Sequence, residues 1–358
     1  MLVFIVLLAV PLLLQYGVVG NTHIDFEKKN KRALMFFFII LTLILMFRHA
    51  SVGNDTRNYI RLFQQISFSD WSELNRYTTE VGFVYLCKFI SVISDNPQFF
   101  LSIVSVIVCA CLSFTYTRLC KEPSLTIILF CNMATFVMMF SGIRQMLAIA
   151  IGLVAYECTQ RKKLFWFIVS VLFAMFFHTS AFILAFMYPL YHAKITKKWM
   201  FVIVPLLTTI FIFNKRIFSF LLIILSRFTE YEGEITATGA YTMLFLFIAF
   251  AVFSFLVPNE SLLDEETRGL RNFLLFSCVI QFFAPVHTLA MRMNYYYIIF
   301  IPLLLPRIIA YRSIRYKQIA VIGRYVMLGF FLVYFFASAN GDGNLHVFPY
   351  HFFWEVIS

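Results

Sequence analysis

Apolar runs of membrane-crossing character recur along the whole chain, separated by short loops rich in Lys and Arg. They fall at 1–20, 33–48, 99–117, 124–140, 143–158, 164–177, 180–191, 199–213, 241–257, 272–288, 294–310 and 319–338. The chain is 61% hydrophobic and 13% charged, with a mean hydropathy of +0.83, more apolar surface than a soluble core can bury. Strands of alternating apolar and polar residues are missing, which excludes a membrane β-barrel. Backbone groups in lipid must then be satisfied within helices. We therefore expect an all-α, polytopic transmembrane helical bundle of about twelve spans, built as one integral membrane domain over 1–358.

The net charge of +11 would point to nucleic acid in a soluble protein. Here the cations sit in loops beside apolar runs, the positive-inside pattern, and no nucleic-acid partner is expected. Seventeen Lys and Arg fall in the loops assigned inside (21–32, 118–121, 161–163, 194–198, 268–271, 312–317), against ten outside. This orientation puts the N-terminus, a long loop at 48–98 and the tail at 339–358 outside. Residues 81–94 are apolar, but at 14 residues with Lys88 among them they are too short to cross. They are expected as an outer-surface amphipathic helix, with 217–228 as a second. Arg32 and Arg48, at the ends of a short span, are expected to snorkel, as is Arg324. The first run lacks a basic leader and an A-x-A site, so it is expected as a span rather than a cleaved signal. The seven Cys lie mostly in apolar runs without CxxC or Cys/His spacing; neither a disulfide framework nor a metal site is expected.

Length restricts two places further. Residues 164–191 number 28 and must go out and back, where two full spans need about 40. The turn at His178-Thr179-Ser180 should therefore be recessed, at the floor of an outward cavity. The 35 residues of 124–158 are similarly tight, which recesses Arg144 as well.

The orientation gathers Asp55, Arg57, Glu80, Arg144, Gln145, His178, His287 and Arg292 on the outer side. Arg144 cannot shed its charge, so it must meet water, a carboxylate or an anionic ligand. It either holds a phosphate group or snorkels from a helix end. Arg292, followed by Tyr295, Tyr296 and Tyr297, either joins Arg144 in neutralising a pyrophosphate, with aromatic faces against sugar rings, or belongs to an interfacial aromatic belt. His178 is a candidate general base or a turn histidine bonded to a backbone carbonyl. Asp55 and Glu80 are alternative bases, partners for Arg57 and Arg144, or members of surface ion pairs. Walker A, GxGxxG, HExxH and GxSxG patterns are missing, so a donor would arrive in the membrane already activated. No cofactor is expected.

Five pieces occur in order: Gly53-Asn54-Asp55-Thr56-Arg57-Asn58-Tyr59 with Phe63, Glu80-Val81-Gly82-Phe83, Ile143-Arg144-Gln145-Met146-Leu147-Ala148, Phe177-His178-Thr179-Ser180-Ala181, and Arg292 with Tyr295-Tyr296. This order resembles the EpsG-like family of Wzy-type polysaccharide polymerases, from about Arg48 to Pro302, with Val81 where such proteins often have Pro. The resemblance implies a bacterial inner-membrane glycosyltransferase that joins oligosaccharide repeat units carried on undecaprenyl pyrophosphate, at the periplasmic face. Its product would be O-antigen, capsule or exopolysaccharide. The membrane lipid and the undecaprenyl-pyrophosphate-linked oligosaccharide are the expected partners, with a chain-length regulator as a further protein partner. Candidate catalytic residues are His178, Asp55 and Glu80. Arg144, Arg292, Arg57, Gln145, Tyr59 and Tyr295 are candidates for substrate and pyrophosphate binding. A lipid-linked oligosaccharide flippase or a membrane O-acyltransferase are the alternatives. The first would want cations deep in a two-sided cavity. The second would want catalytic residues facing a cytoplasmic donor.

Overall fold

A computed structural model describes the chain apart from residues 17–25, 78, 226–237, 256–262, 314–316, 340–344 and 357–358. Parts of the expected inside loops (21–25, Arg315), the end of the 217–228 segment and the middle of the tail lie outside the described residues. Among the described residues regular structure is helical; the one strand-like feature is an isolated antiparallel bridge between Arg48 and Phe352.

The N-terminal helices α1 (Leu2–Tyr16) and α2 (Phe26–Met46) pack against each other. Helix α2 starts before its apolar run, so Lys28, Lys29, Lys31 and Arg32 form its first turns, with Lys31 2.8 Å from Glu27. Arg48 corrects the snorkelling expectation. It is 2% exposed, and its Nη1 donates to the Leu45 carbonyl at 2.6 Å. The chain beside it is covered by the C-terminal tail. His49 N–H donates to His351 O at 2.8 Å, and Phe353 N–H to Phe47 O at 2.9 Å.

The 48–98 region folds as α3 (Thr56–Phe68), a 3-10 turn (Trp71–Arg76) and α4 (Val81–Ile93). Thr56, Tyr59, Phe63 and Ile66 recur at helical spacing and form the buried face of α3. Phe63 stacks on Phe100 at 4.7 Å and so fixes α3 to α5 (Pro97–Leu119). Asn96 caps α5, its Oδ1 accepting from Gln98 N at 2.8 Å, and Pro97 takes the first helical position. The 13 residues of α4 rise only about 20 Å, short of a hydrocarbon core of about 30 Å.

The expected span at 124–140 is broken into α6 (Pro123–Asn132) and α7 (Ala134–Ser141), bent by 62°. Asn132 supplies the cause. Its Nδ2 donates to Ile128 O at 2.7 Å and to Phe331 O at 3.0 Å, and Met133 follows in an extended conformation. After α8 (Ile143–Gln160) and α9 (Leu164–Met175), the expected helix at 180–191 begins as a 3-10 helix (Thr179–Phe186) and ends as α10 (Met187–His192). The 3-10 form rises about 2.0 Å per residue against 1.5 Å for an α-helix, so a short segment reaches further.

Helix α11 (Met200–Leu225) runs straight through the second outer-surface helix expected at 217. No Pro or Gly interrupts the chain there, and Asn214 Nδ2 ties the middle of α11 to Phe282 O at 3.2 Å. Then come α12 (Thr238–Phe255) and α13 (Glu265–Gln281), the latter capped by Asp264, which accepts from Thr267 N at 2.5 Å. The expected span at 294–310 is a pair, α14 (Thr288–Ile298) and α15 (Ile301–Ser313), bent by 49°. The last helix is α16 (Lys317–Ser338).

By length and composition, three helices among the described residues can cross a membrane, or five if each bent pair is one span. The chain is an all-helical membrane protein. One end of the helices is knitted by ion pairs. Glu157 meets Arg118 and Arg161, and buried Arg307 meets Glu266, with Asp264 at 3.7 Å. Arg324 also belongs here, its guanidinium reaching Glu122 at 3.1 Å.

Candidate functional site

Two glycines dock the polar loops at the other end onto helix junctions. Gly82 N–H donates to Phe176 O at 2.9 Å, and a Cβ on Gly82 would stand 2.8 Å from that oxygen. Only a residue without a side chain lets the start of α4 approach the end of α9 this closely. Gly53 has φ +88°, and its Cβ would collide with the Phe140 carbonyl. That contact seats residues 53–56 on the α7–α8 junction, where Thr56 Oγ1 donates to Phe140 O at 2.9 Å.

Glu80, just ahead of Gly82, is thereby pressed against the turn after α9. Its Oε1 lies 3.1 Å from His178 Nδ1 and accepts from Thr179 N–H at 3.4 Å. Its Oε2 accepts from Thr79 Oγ1 at 3.1 Å and from Arg144 Nη1. Arg144 is the second residue of α8. Its Nη1 also donates to Thr79 Oγ1, its Nε donates to Tyr59 OH at 3.4 Å, and its guanidinium lies 5.7 Å from the Tyr59 ring centre. His178 is extended backbone between α9 and the 3-10 helix, and its side chain is buried.

These neighbours set the charges. Burial alone would push the Glu80 carboxyl up, but the hydrogen bond from His178 and the charge of Arg144 outweigh it and hold the group at about 2. Burial pulls His178 below its ordinary value, with Glu80 opposing and Arg144 and Arg292 adding to the fall. An ionised Glu80 can only accept, so the neutral imidazole carries its proton on Nδ1 and keeps Nε2 as an acceptor. A histidine oriented by a carboxylate, with a guanidinium on the carboxylate's far side, can take a proton next to a place where negative charge gathers.

The other candidates are distributed around this group. Asp55 sits on the α7–α8 junction, its Oδ2 accepting from Ser141 Oγ at 3.1 Å. Arg57 is exposed on α3. Gln145, beside Arg144, donates through Nε2 to the Arg292 carbonyl at 2.5 Å and so ties α8 to α14. Arg292 is half-buried there. The three tyrosines after it face inward. Tyr295 lines a separate apolar chamber, Tyr296 OH lies 3.3 Å from Ser180 Oγ, and Tyr297 OH donates to Ile183 O at 2.8 Å. His287 caps α14, its Nδ1 accepting from Leu289 N at 3.0 Å. Thr79, which bonds both Glu80 and Arg144, carries no signal in the sequence beyond its place next to Glu80. Among the described residues no three His, Cys, Asp or Glu gather as a metal site.

Curated proteins and solved structures yield no match to this chain. A family model does match, that of the EpsG family, and families of this kind are associated with polysaccharide biosynthesis. It spans residues 31–352, which takes in Tyr59, Glu80, Arg144, His178 and Arg292, and the chain belongs to the EpsG family.

Proposed function

We propose that this membrane protein is a polysaccharide polymerase that transfers a growing oligosaccharide from undecaprenyl pyrophosphate to a lipid-linked repeat unit. The chain crosses a bacterial inner membrane about twelve times as one domain, with the reaction at the periplasmic face. The observation that carries this reading is the convergence on Glu80 of His178 and Arg144, a base and a cation from separate stretches of chain.

The acceptor hydroxyl oxygen attacks the anomeric carbon of the donor sugar. Its proton passes to His178 Nε2, the new C–O bond forms, and the bond from the anomeric carbon to the pyrophosphate oxygen breaks. The pyrophosphate-lipid leaves with its negative charge met by Arg144 and Arg292. Glu80 keeps His178 in the tautomer that accepts a proton on Nε2. Asp55 and Tyr59 hold the surrounding loop, and exposed Arg57 meets the saccharide or headgroup.

The test is the surface glycan of cells lacking the gene and complemented with variants. Loss of a polymerase leaves single repeat units attached. Loss of a flippase leaves none, and loss of an O-acyltransferase leaves full-length chains lacking an ester. Single repeats in the deletion strain, with a ladder restored by the wild type and not by His178→Ala, are expected. An intact ladder in the deletion strain refutes the function.

A further inference from the structure

A chamber of about 360 Å3 opens where α6 and α7 part at their bend, walled by α14, α16 and the C-terminal tail. Its lining includes Met133, Val137, Met243, Met291, Tyr295 and Phe335. The volume lies in the range of sites that take small ligands, about 300–1,000 Å3. Methionine suits an occupant without a fixed shape, because its unbranched side chain repacks around what enters. The wall is mostly apolar, with Asn132, Tyr334 and Ser338 as its other polar side chains.

The chamber is joined to the polar site through one residue. Met291 and Tyr295 line it, and Arg292 stands between them on α14. The Arg292 carbonyl is bonded by Gln145, the neighbour of Arg144, and the Arg292 charge is felt at His178. Apolar volume against α14, with Arg292 on the same helix and Arg144 next to the glutamine that bonds the Arg292 carbonyl, matches an amphiphile with a phosphate head and a hydrocarbon chain.

We propose that this chamber holds the first isoprene units of the hydrocarbon chain of the pyrophosphate-linked carrier while its head lies between Arg144 and Arg292. The assignment rests on the polymerase function above and adds where the carrier is gripped. The bend at Met133 is then a functional gap, since a straight helix over 123–141 would not part there. The chain in the chamber fixes the direction from which the pyrophosphate reaches the cations, so the sugar it carries projects toward His178.

The experiment uses the purified full chain in nanodiscs. The probes are undecaprenyl pyrophosphate, inorganic pyrophosphate and phosphatidylglycerol. Val137→Trp and Ala134→Phe fill the chamber without touching either arginine, and thermal melting confirms that each variant is folded. Both are expected to weaken undecaprenyl pyrophosphate about tenfold or more, as loss of a few buried methylenes requires, and to leave inorganic pyrophosphate unchanged. For variants that do not fold, a photoactivatable carrier with a diazirine in its chain tests the wild type directly. Adducts on the peptides holding Met133, Met243 and Met291 are expected. Unchanged carrier affinity in a folded Val137→Trp, adducts confined to other helices, or equal displacement by phosphatidylglycerol would each overturn the assignment. A wild type that forms these adducts yet makes no polymer refutes the enzymatic function while leaving the chamber's occupant standing.

Discussion

His178 Nδ1 lies 3.1 Å from Glu80 Oε1, across 98 residues of sequence. The contact assigns different work to two groups that the sequence offers equally as bases. Glu80 is held ionised and already engaged, which makes it a poor proton acceptor. His178 is neutral, with Nε2 left as its basic atom. Replacing His178 by Ala should lower the polymerisation rate about 10²–10⁴-fold, the usual loss on removing a general base, with little change in melting temperature. Chain lengths equal to the wild type's in a folded His178→Ala would transfer the role to Asp55.

Glu80→Gln tests the orienting role through pH. The Glu80 carboxylate favours the protonated imidazole, so removing it should lower the His178 pKa further. The acidic limb of the rate profile, set in the wild type below the ordinary imidazole value of 6.5, should move to lower pH, and the plateau rate should fall with the weaker base. Stability gives an independent sign. A carboxyl depressed from 4.5 to about 2 stabilises the fold above pH 4.5 and loses that contribution as pH falls toward 2. The melting-temperature gap between wild type and Glu80→Gln should therefore narrow over that window. A limb that stays in place would show that Glu80 does not act on His178.

Arg144 meets Glu80 and Thr79 through Nη1 and Tyr59 through Nε. A lysine keeps the charge but offers one nitrogen, so it cannot hold these partners and a phosphate in the same geometry. Arg144→Lys should be nearly as inactive as Arg144→Ala, with a loss of about 10²–10³ in rate. Full activity in Arg144→Lys, measured at equal protein level, would reduce Arg144 to a point charge.

Much of this is legible in the sequence. The apolar runs give an all-helical membrane protein. The short return at 164–191 predicts a recessed His178, whose side chain is buried, and a 3-10 helix follows it. Breaks were less legible. Asn132 reads as one polar residue in an apolar run, and its bond to Phe331 O depends on a helix 199 residues away. The same holds for Arg48, whose side chain lies with Val104, Val108, Met139, Ile143 and Met146 from three helices. Glu80 and Arg144 are both visible as charges, and a carboxylate partner for Arg144 is one of the readings they allow. That Glu80 rather than Asp55 is the partner depends on the contact of Gly82 with Phe176, which no local pattern encodes.

Gly82→Ala probes that contact. The added methyl must push α4 away from the end of α9, a cost of about 1–3 kcal/mol in a packed site. The melting temperature should fall, and activity should fall further than stability because Glu80 retreats from His178. An active Gly82→Ala with unchanged melting would show that the close approach is dispensable.

The sidedness proposed for the site rests on the charge of the loops. Asn96 is exposed beside the start of α5, near Arg48, whose carbonyl accepts from Gln98 Nε2. With the native cysteines replaced, Asn96→Cys should react with an impermeant thiol reagent in cells whose inner membrane is intact. Labelling only after permeabilisation would overturn the placement of 81–94 on the outer surface.

The most direct measurement is polymer formation by the purified chain from lipid-linked repeat units, with wild type, Arg144→Lys and His178→Ala compared at equal folded concentration. A product ladder from the wild type, released pyrophosphate-lipid in step with each added repeat, and single repeats from both variants are the predicted result. A folded wild type that leaves the lipid-linked units unjoined, or variants that build the same ladder, would contradict the assignment of Glu80, Arg144 and His178 as the polymerase centre.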